Sequence, residues 1–189
     1  MCMIVLASGS PRRGEILSMM GFAYVRDVAD CDEETGDLPA EKAVALLAER
    51  KAAAVAARHP GEWVLGSDTL VTLDGSPIGK PADPEDARRM LRTLSGRTHT
   101  VYTGVCLMRD GDKEVYVDAA KVTFFPLSED EIARYVATGE PLDKAGAYGI
   151  QGRGCVLVER IEGDFFTVMG LPAGSLARRL AARQIFPEN

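Results

Sequence analysis

The sequence lacks several features that would place it in other classes of protein. Its 189 residues contain no apolar run long enough to span a membrane, and the first residues lack the basic-then-apolar order of a secretory signal peptide. The four cysteines, Cys2, Cys31, Cys106 and Cys155, show no C-x-x-C spacing. Scattered cysteines argue against a zinc site or a disulfide framework and favour reduced thiols. These absences predict a cytoplasmic protein that makes no use of a membrane.

An excess of basic charge is also absent. The chain has 22 Lys and Arg against 28 Asp and Glu, a net charge of −6 and a pI near 5.0. Proteins that bind nucleic acid usually present a basic face, so we expect no nucleic-acid partner. A small polyanion is still allowed as a ligand, because it responds to local charge and not to the total.

The patterns that are present predict one α/β domain over residues 1–189. Apolar content is 46%, and the sequence shows no internal repeat or low-complexity linker. Helical spacing and capping residues predict helices over 40–57, 84–94 and 129–137, and a last helix after Pro172. Apolar runs, alternation and turn dipeptides predict strands over 3–6, 63–73, 98–108, 114–125 and 156–158. This mixture predicts an α/β fold with a mixed sheet.

Two adjacent arginines follow the first predicted strand. Ser10 is a good N-cap and Pro11 a good first helical residue, so a helix should begin there and carry Arg12 and Arg13 in its first turn. A helix N-terminus already has free N–H groups and a partial positive charge, so two guanidinium groups are unfavourable there unless an anion neutralises them. The strand, small-residue turn and helix start therefore predict a phosphate-binding turn. The alternative is an exposed first turn with solvated arginines.

Asp68 is the first candidate for a chemical role. It lies in an otherwise apolar predicted strand, where a carboxylate is costly unless it is paired or bound to a metal. The alternative is a β-bulge at Asp68 and Thr69, with a local hydrogen bond from the aspartate side chain.

An acidic segment over residues 27–37 offers further oxygen donors. Most of its carboxylates should be solvated loop charges, but one or two could help to hold a divalent ion together with substrate phosphates. Glu33 is the residue that we select. Lys80 should be a solvated loop lysine unless the predicted hairpin brings it beside Asp68. We assign His99 a structural role.

A glycine-rich segment covers residues 143–152. Glycines let a backbone pass close to a planar ligand, and the amide of Gln151 could read donor and acceptor atoms on a base edge. A flexible loop is the alternative interpretation of the same composition.

Six motifs together resemble the Maf family of nucleoside triphosphate pyrophosphatases, in the family's order and across nearly the whole chain. They are LASGSPRR (6–13), GSDT (66–69), GKP (79–81), SGRTH (95–99), DKAGAYGIQG (143–152) and VMGLP (168–172). The run AGAYGIQG resembles the branch that hydrolyses dTTP and UTP, and differs from the branch that acts on 7-methyl-GTP. Two departures are minor, because Ser67 stands where alanine is usual and Met169 where valine is commoner, and neither removes a functional group.

The resemblance implies a fold akin to inosine triphosphate pyrophosphatase, with an elongated mixed sheet, flanking helices and a cleft between two lobes. It also implies a homodimer in the cytoplasm and dependence on a divalent cation, Mg²⁺ or Mn²⁺. Asp68 would be the catalytic acidic residue, and Glu33 would belong to the polar pocket around it. From the chemistry of the residues we expect Asp68 and Glu33 to hold the divalent cation. The resemblance places the substrate-binding residues at Ser8, Arg12, Arg13, Lys51, Thr69, Lys80 and Gln151, of which Arg12, Thr69 and Gln151 would set specificity.

The expected reaction is hydrolysis of dTTP or UTP to the monophosphate and pyrophosphate. The alternative is a regulator of septum formation that binds nucleotide without turning it over. A third candidate is a house-cleaning enzyme for modified pyrimidine nucleotides.

Overall fold

The structure is a computed structural model that describes residues 3–187, so Cys2 lies outside the described residues. Seven strands form one mixed sheet: β1 (Ile4–Ala7), β2 (Tyr24–Arg26), β3 (Trp63–Leu73), β4 (Ser76–Ile78), β5 (Thr98–Arg109), β6 (Asp112–Phe124) and β7 (Val158–Glu162). The α-helices are α1 (Pro11–Met19), α2 (Ala40–Ala56), α3 (Pro84–Leu94), α4 (Glu129–Val136), α5 (Phe165–Met169) and α6 (Ala173–Ala182). Short 3₁₀ helices cover Glu140–Asp143, Ala145–Ala147 and Arg153–Leu157.

The sheet has the strand order β2-β1-β3-β5-β6-β7, with β4 paired to β3. Strand β1 is parallel to both β2 and β3, whereas β4 is antiparallel to β3 and β7 antiparallel to β6. The predicted α/β fold with a mixed sheet and flanking helices is therefore confirmed. No helix in residues 3–187 is both long enough and apolar enough to cross a membrane.

The chain divides into two compact units. The first unit contains the described residues of Met1–Asp68, Thr103–Asp118 and Gly170–Asn189. The second contains Thr69–Tyr102 and Ala119–Met169.

In the first unit, α2 packs closely on the sheet. Val5, Ala52 and Val64 are fully or almost fully buried in the same apolar cluster. A Cβ at Gly66 of β3 would lie 2.2 Å from the carbonyl oxygen of Ala48 in α2. The close approach of strand and helix therefore requires glycine at this position.

In the second unit, three rings form a buried cluster. His99, Phe124 and Tyr148 meet edge to face, with centroid separations between 4.8 and 5.3 Å. His99 is 1% exposed, and its Nε2 lies 2.8 Å from the hydroxyl of Tyr148. The structural role predicted for His99 matches this burial.

Local sequence signals located most elements well. Asp83 caps α3 by accepting a hydrogen bond of 2.8 Å from the Asp86 N–H, and Ser128 with Glu131 forms the predicted capping box of α4. The hairpin turn between β3 and β4 also lies where predicted.

Other elements were missed or displaced. The strand predicted over 156–158 is wrong for its first two residues, because Arg153–Leu157 is a 3₁₀ helix and β7 begins at Val158. Strand β2 and helix α5 were not predicted. Both are short, and neither has enough residues to show a clear period.

Candidate functional site

The turn between β1 and α1 is where the sequence predicts an anion site. Pro11 is the first residue of α1, and the first turn of this helix has no acidic residue. Ser10 occupies the N-cap position, but its side chain makes no capping hydrogen bond. Instead its N–H donates to the hydroxyl of buried Ser8 at 3.2 Å. The positive end of α1 is therefore not neutralised by its own first turn.

Arg13 is held in place by two neighbours. Its Nε donates to the carbonyl oxygen of Gly170 at 3.0 Å, and its Nη1 donates to the hydroxyl of Ser8 at 2.8 Å. Burial lowers the pKa of Arg13 to about 10, and the negative charge of Asp68 opposes this shift. The guanidinium therefore remains charged at neutral pH and has a fixed orientation.

Arg12 differs from its neighbour. It is half-buried, and it makes no hydrogen bond or ion pair with any residue in the described part of the chain. A charge at the N-terminal turn of a helix without a partner is suited to an incoming anion.

The second part of the site is an ion-pair cluster. The ammonium group of Lys51 in α2 lies 2.6 Å from Oδ1 of Asp68 in β3 and 2.9 Å from Oε1 of Glu33. The side chains of Lys51 and Asp68 are only 13% and 14% exposed, whereas that of Glu33 is 65% exposed. The carboxylate of Asp68 is therefore paired with a cation, which offsets the free-energy cost of burying a charge in an apolar strand. This contact is with a side chain of another element, α2.

The cluster keeps Lys51 charged. Burial lowers the pKa of Lys51, but the charges of Asp68 and Glu33 and their hydrogen bonds outweigh burial and raise it. One ammonium therefore neutralises part of the charge of two carboxylates.

The arginine turn and the ion-pair cluster are connected through one carbonyl group. The oxygen of Gly170 accepts hydrogen bonds from Nε of Arg13 and from the hydroxyl of Ser67, each at 3.0 Å. Ser67 directly precedes Asp68 in β3. Ser67, which stands where the family usually has alanine, thus links β3 by a hydrogen bond to Gly170, the residue that also orients Arg13.

The donor atoms of the cluster suit a hard divalent cation. Two carboxylates that contact the same ammonium lie near one another, and carboxylate oxygens are the ligands that Mg²⁺ and Mn²⁺ prefer. Within residues 3–187 no group of three His, Cys, Asp or Glu side chains could hold a metal. A cation at Asp68 and Glu33 would therefore need further oxygens from water or substrate.

The remaining predicted substrate-binding residues lie in the second unit. Thr69 follows Asp68 in β3, exposed Lys80 follows β4, and Gln151 is exposed between the last two 3₁₀ helices. Lys80 is exposed, in agreement with its interpretation as a solvated lysine.

Tyr135 and Glu140 of the second unit contact the segment around Gln151, and the sequence did not single out either residue. Tyr135 and Glu140 bond to the backbone on both sides of Gln151. The nearest signal was the glycine-rich segment over 143–152, interpreted either as backbone that passes close to a planar ligand or as a flexible loop.

The structure defines an α/β protein whose first strand leads into a helix with two arginines in its first turn, and the same unit holds a buried lysine–aspartate pair. The chain belongs to the family described as Maf-like protein, whose model matches residues 3–183. Family membership thus agrees with the resemblance carried by the six motifs.

Curated relatives match nearly the full chain. It is 50% identical over 184 residues to the dTTP/UTP pyrophosphatase of Thermus thermophilus, covering 97% of this chain and 96% of the relative. It is 48% identical over 178 residues to that of Bacillus velezensis, covering 94% of each chain. It is 52% identical over 171 residues to that of Symbiobacterium thermophilum, covering 89% of this chain and 88% of the relative.

Proposed function

We propose that the chain is a nucleoside triphosphate pyrophosphatase that hydrolyses dTTP and UTP to the monophosphate and pyrophosphate. The observation that carries the proposal is the buried contact between Lys51 and Asp68, in the same compact unit as the arginine turn. A triphosphate needs cations and N–H groups for its anionic tail and a carboxylate near the reacting phosphorus. The names of the relatives supply the uracil and thymine nucleotides as the substrate class.

In the proposed reaction, water attacks the α-phosphorus. A bond forms between the water oxygen and phosphorus, and the bond to the bridging oxygen of the β-phosphate breaks. Pyrophosphate leaves with that electron pair, and the water gives up its proton. Because negative charge moves onto phosphate oxygens, Arg12, Arg13 and the N–H groups of the α1 start would act mainly by electrostatic stabilisation.

Asp68 can serve this reaction in two ways. Its carboxylate can accept the proton of the attacking water, or it can hold a cation that acts on this water. Lys51 would orient the carboxylate in both cases, because its ammonium fixes Oδ1.

We also propose that Asp68 and Glu33 hold a Mg²⁺ or Mn²⁺ ion. When bound, this ion would neutralise phosphate charge and lower the pKa of a bound water. In Glu33→Gln, we expect the metal concentration for half-maximal activity to rise about tenfold, because one charged ligand is lost. Glu34→Gln is the matched control, since Glu34 is exposed and its carboxylate accepts a hydrogen bond from the N–H of Gly36 in the same loop. An unchanged metal dependence in Glu33→Gln would remove Glu33 from the metal site.

The central experiment is pyrophosphate release from a panel of nucleoside triphosphates with Mg²⁺, Mn²⁺ or a chelator. We expect release from UTP and dTTP with either metal and none with chelator. Binding of UTP without release would instead favour the regulator of septum formation, which the names of the relatives do not favour. A higher rate with modified pyrimidine nucleotides than with UTP and dTTP would favour the house-cleaning enzyme.

Thr69, Lys80 and Gln151 would contribute to substrate binding, with Thr69, Gln151 and Arg12 setting base preference. Gln151→Ala should reduce the preference for uracil and thymine nucleotides more than it reduces the rate. We propose a cytoplasmic homodimer without a nucleic-acid partner, and sedimentation equilibrium of the full chain would test the dimer.

A further inference from the structure

The carboxylate of Glu140 lies within the glycine-rich loop that carries Gln151. Its Oε2 accepts a hydrogen bond of 2.8 Å from the N–H of Arg153, and its Oε1 accepts one of 3.1 Å from the N–H of Gly154. The backbone C-terminal to Gln151 is therefore anchored to a single side chain.

Tyr135 of α4 extends the anchor to the N-terminal side of Gln151. Its hydroxyl donates to Oε1 of Glu140 at 2.9 Å and accepts a hydrogen bond of 2.9 Å from the N–H of Gly149. One phenol and one carboxylate thus bind the loop on both sides of its exposed glutamine.

Glu140 is suited to this role as an anion. Burial raises the pKa of Glu140, but the hydrogen bonds from Arg153, Gly154 and Tyr135, together with the charge of Lys144, outweigh burial and lower it. A carboxylate that accepts several hydrogen bonds remains ionised at neutral pH, and charge-assisted bonds are stronger than neutral ones.

The glycines of the loop follow from the position of these two side chains. A Cβ at Gly152 would lie 2.5 Å from Oε2 of Glu140, and one at Gly154 would lie 2.7 Å from the hydroxyl of Tyr135. A Cβ at Gly149 would lie 3.0 Å from Oε1 of Glu140. Any side chain at Gly152 would therefore displace a carboxylate that its hydrogen bonds hold in place.

Gln151 itself is not held by its side chain. It is exposed, and its amide makes no hydrogen bond with any of residues 3–187. The backbone bond that spans Gln151, from the N–H of Gly152 to the carbonyl oxygen of Gly149, has a length of 3.2 Å. The conformation of the glutamine backbone therefore depends on the flanking anchor.

We propose that Glu140 and Tyr135 are positioning residues that hold Gln151 in the conformation required for base selection. This inference rests on the base-reading role of Gln151 in the proposed function. A loop that is ordered before binding pays less conformational entropy when the correct base arrives. Releasing one or two residues of backbone costs about tenfold in affinity for that base. The affinity for a nucleotide whose base makes no hydrogen bond to Gln151 should not change.

The test compares UTP with CTP, which share the ribose and triphosphate and differ at the base edge. In Glu140→Gln an amide N–H₂ replaces one acceptor oxygen. We expect the UTP:CTP ratio of kcat/KM to fall about tenfold through KM for UTP, with kcat changed less than about twofold. Tyr135→Phe and Gly152→Ala should produce the same change, the second by displacing the carboxylate. Hydrogen–deuterium exchange of the free protein should accelerate at the amides of Gly149, Arg153 and Gly154.

Glu129→Gln is the matched control. Glu129 is the exposed first residue of α4, and its carboxylate pairs with Arg92 of α3. This substitution should change neither the ratio nor the exchange at the loop. If the three loop variants lower kcat/KM equally for UTP and CTP, or leave both unchanged, the positioning role is overturned. Failure of the proposed function gives different results: wild type releases no pyrophosphate, or Gln151→Ala retains the wild-type ratio.

Discussion

The ammonium group of Lys51 lies 2.6 Å from Oδ1 of Asp68, although 17 residues separate the two in the chain. The lysine comes from the middle of α2 and the aspartate from the centre of β3. Because both side chains are largely buried, removing the charge of Lys51 would leave Asp68 with an uncompensated desolvation cost. The Lys51–Asp68 pair therefore contributes both to the stability of the first unit and to the proposed hydrolysis.

Asp68→Asn should abolish turnover while the protein remains folded. The amide can neither accept the proton of water nor hold a cation as a carboxylate does, so kcat for UTP should fall on the order of 10³-fold. Lys51 keeps Glu33 as a partner, so we expect the free energy of unfolding to fall by only about 1–3 kcal/mol. Steady-state kinetics and urea denaturation measure the two effects. Near-normal activity in Asp68→Asn would contradict the assignment, and Asp74→Asn on the exposed hairpin turn is the control.

Arg12→Ala and Arg13→Ala should have different effects on stability. Both remove a cation from the phosphate-binding turn, so KM for UTP should rise at least about tenfold in each. Only Arg13 has protein acceptors, at Gly170 and Ser8, so only its loss should lower the free energy of unfolding, by about 1–3 kcal/mol.

Arg134→Ala, an exposed change in α4, should alter neither KM nor stability. Equal losses of stability in Arg12→Ala and Arg13→Ala would show that both arginines are structural. Thermal melts beside UTP saturation curves distinguish these outcomes.

Gly66→Ala should impair the site without touching a polar group. The added Cβ would lie 2.2 Å from the carbonyl oxygen of Ala48 and 2.8 Å from the N–H nitrogen of Ala52. Because α2 must move away from β3, we expect a loss of about 1–3 kcal/mol in stability and a lower kcat as Lys51 shifts from Asp68. Gly174→Ala in α6 is the control, since its Cβ would enter open space. Wild-type kcat in Gly66→Ala would show that the spacing of helix and strand does not matter for activity.

His99 should make the protein less stable in mild acid. Burial lowers the pKa of His99 from 6.5 to about 4. Below pH 6.5 the unfolded chain binds a proton that the folded protein does not bind, so stability falls as the pH drops from 6.5 to 4. The total loss is about 3 kcal/mol. His99→Gln should remove most of this slope in urea denaturation at a series of pH values.

A second loss of stability in acid should occur at lower pH, and it should remain in His99→Gln. Hydrogen bonds from Arg58 and His59 lower the pKa of Asp27 to about 2, so the stability from this group is lost between pH 4 and 2. An unchanged slope between pH 6.5 and 4 in His99→Gln would show that another group titrates there.

Elements with strong local signals could be predicted from the sequence. Asp83 before Pro84 and the Ser128–Glu131 capping box fixed two helix starts, because a cap bonds to N–H groups only two or three residues away. Strand β2 has three residues and gains its hydrogen bonds from β1, so its own sequence gives no period. The 3₁₀ helix over Arg153–Leu157 begins with two residues whose N–H groups bond to Glu140, a contact across more than ten residues.

The sequence by itself determined the turn between β1 and α1 and its two arginines, because the strand, small residues, proline and arginines are consecutive and act through local backbone geometry. The tertiary structure alone decided which charges meet. It joined Lys51 to Asp68 through the close packing of α2 on β3, and it placed Glu140 among glycines that composition had connected with a ligand. Contacts between residues that are distant in the sequence depend on how whole helices and strands pack, and a local pattern of residues does not specify this packing.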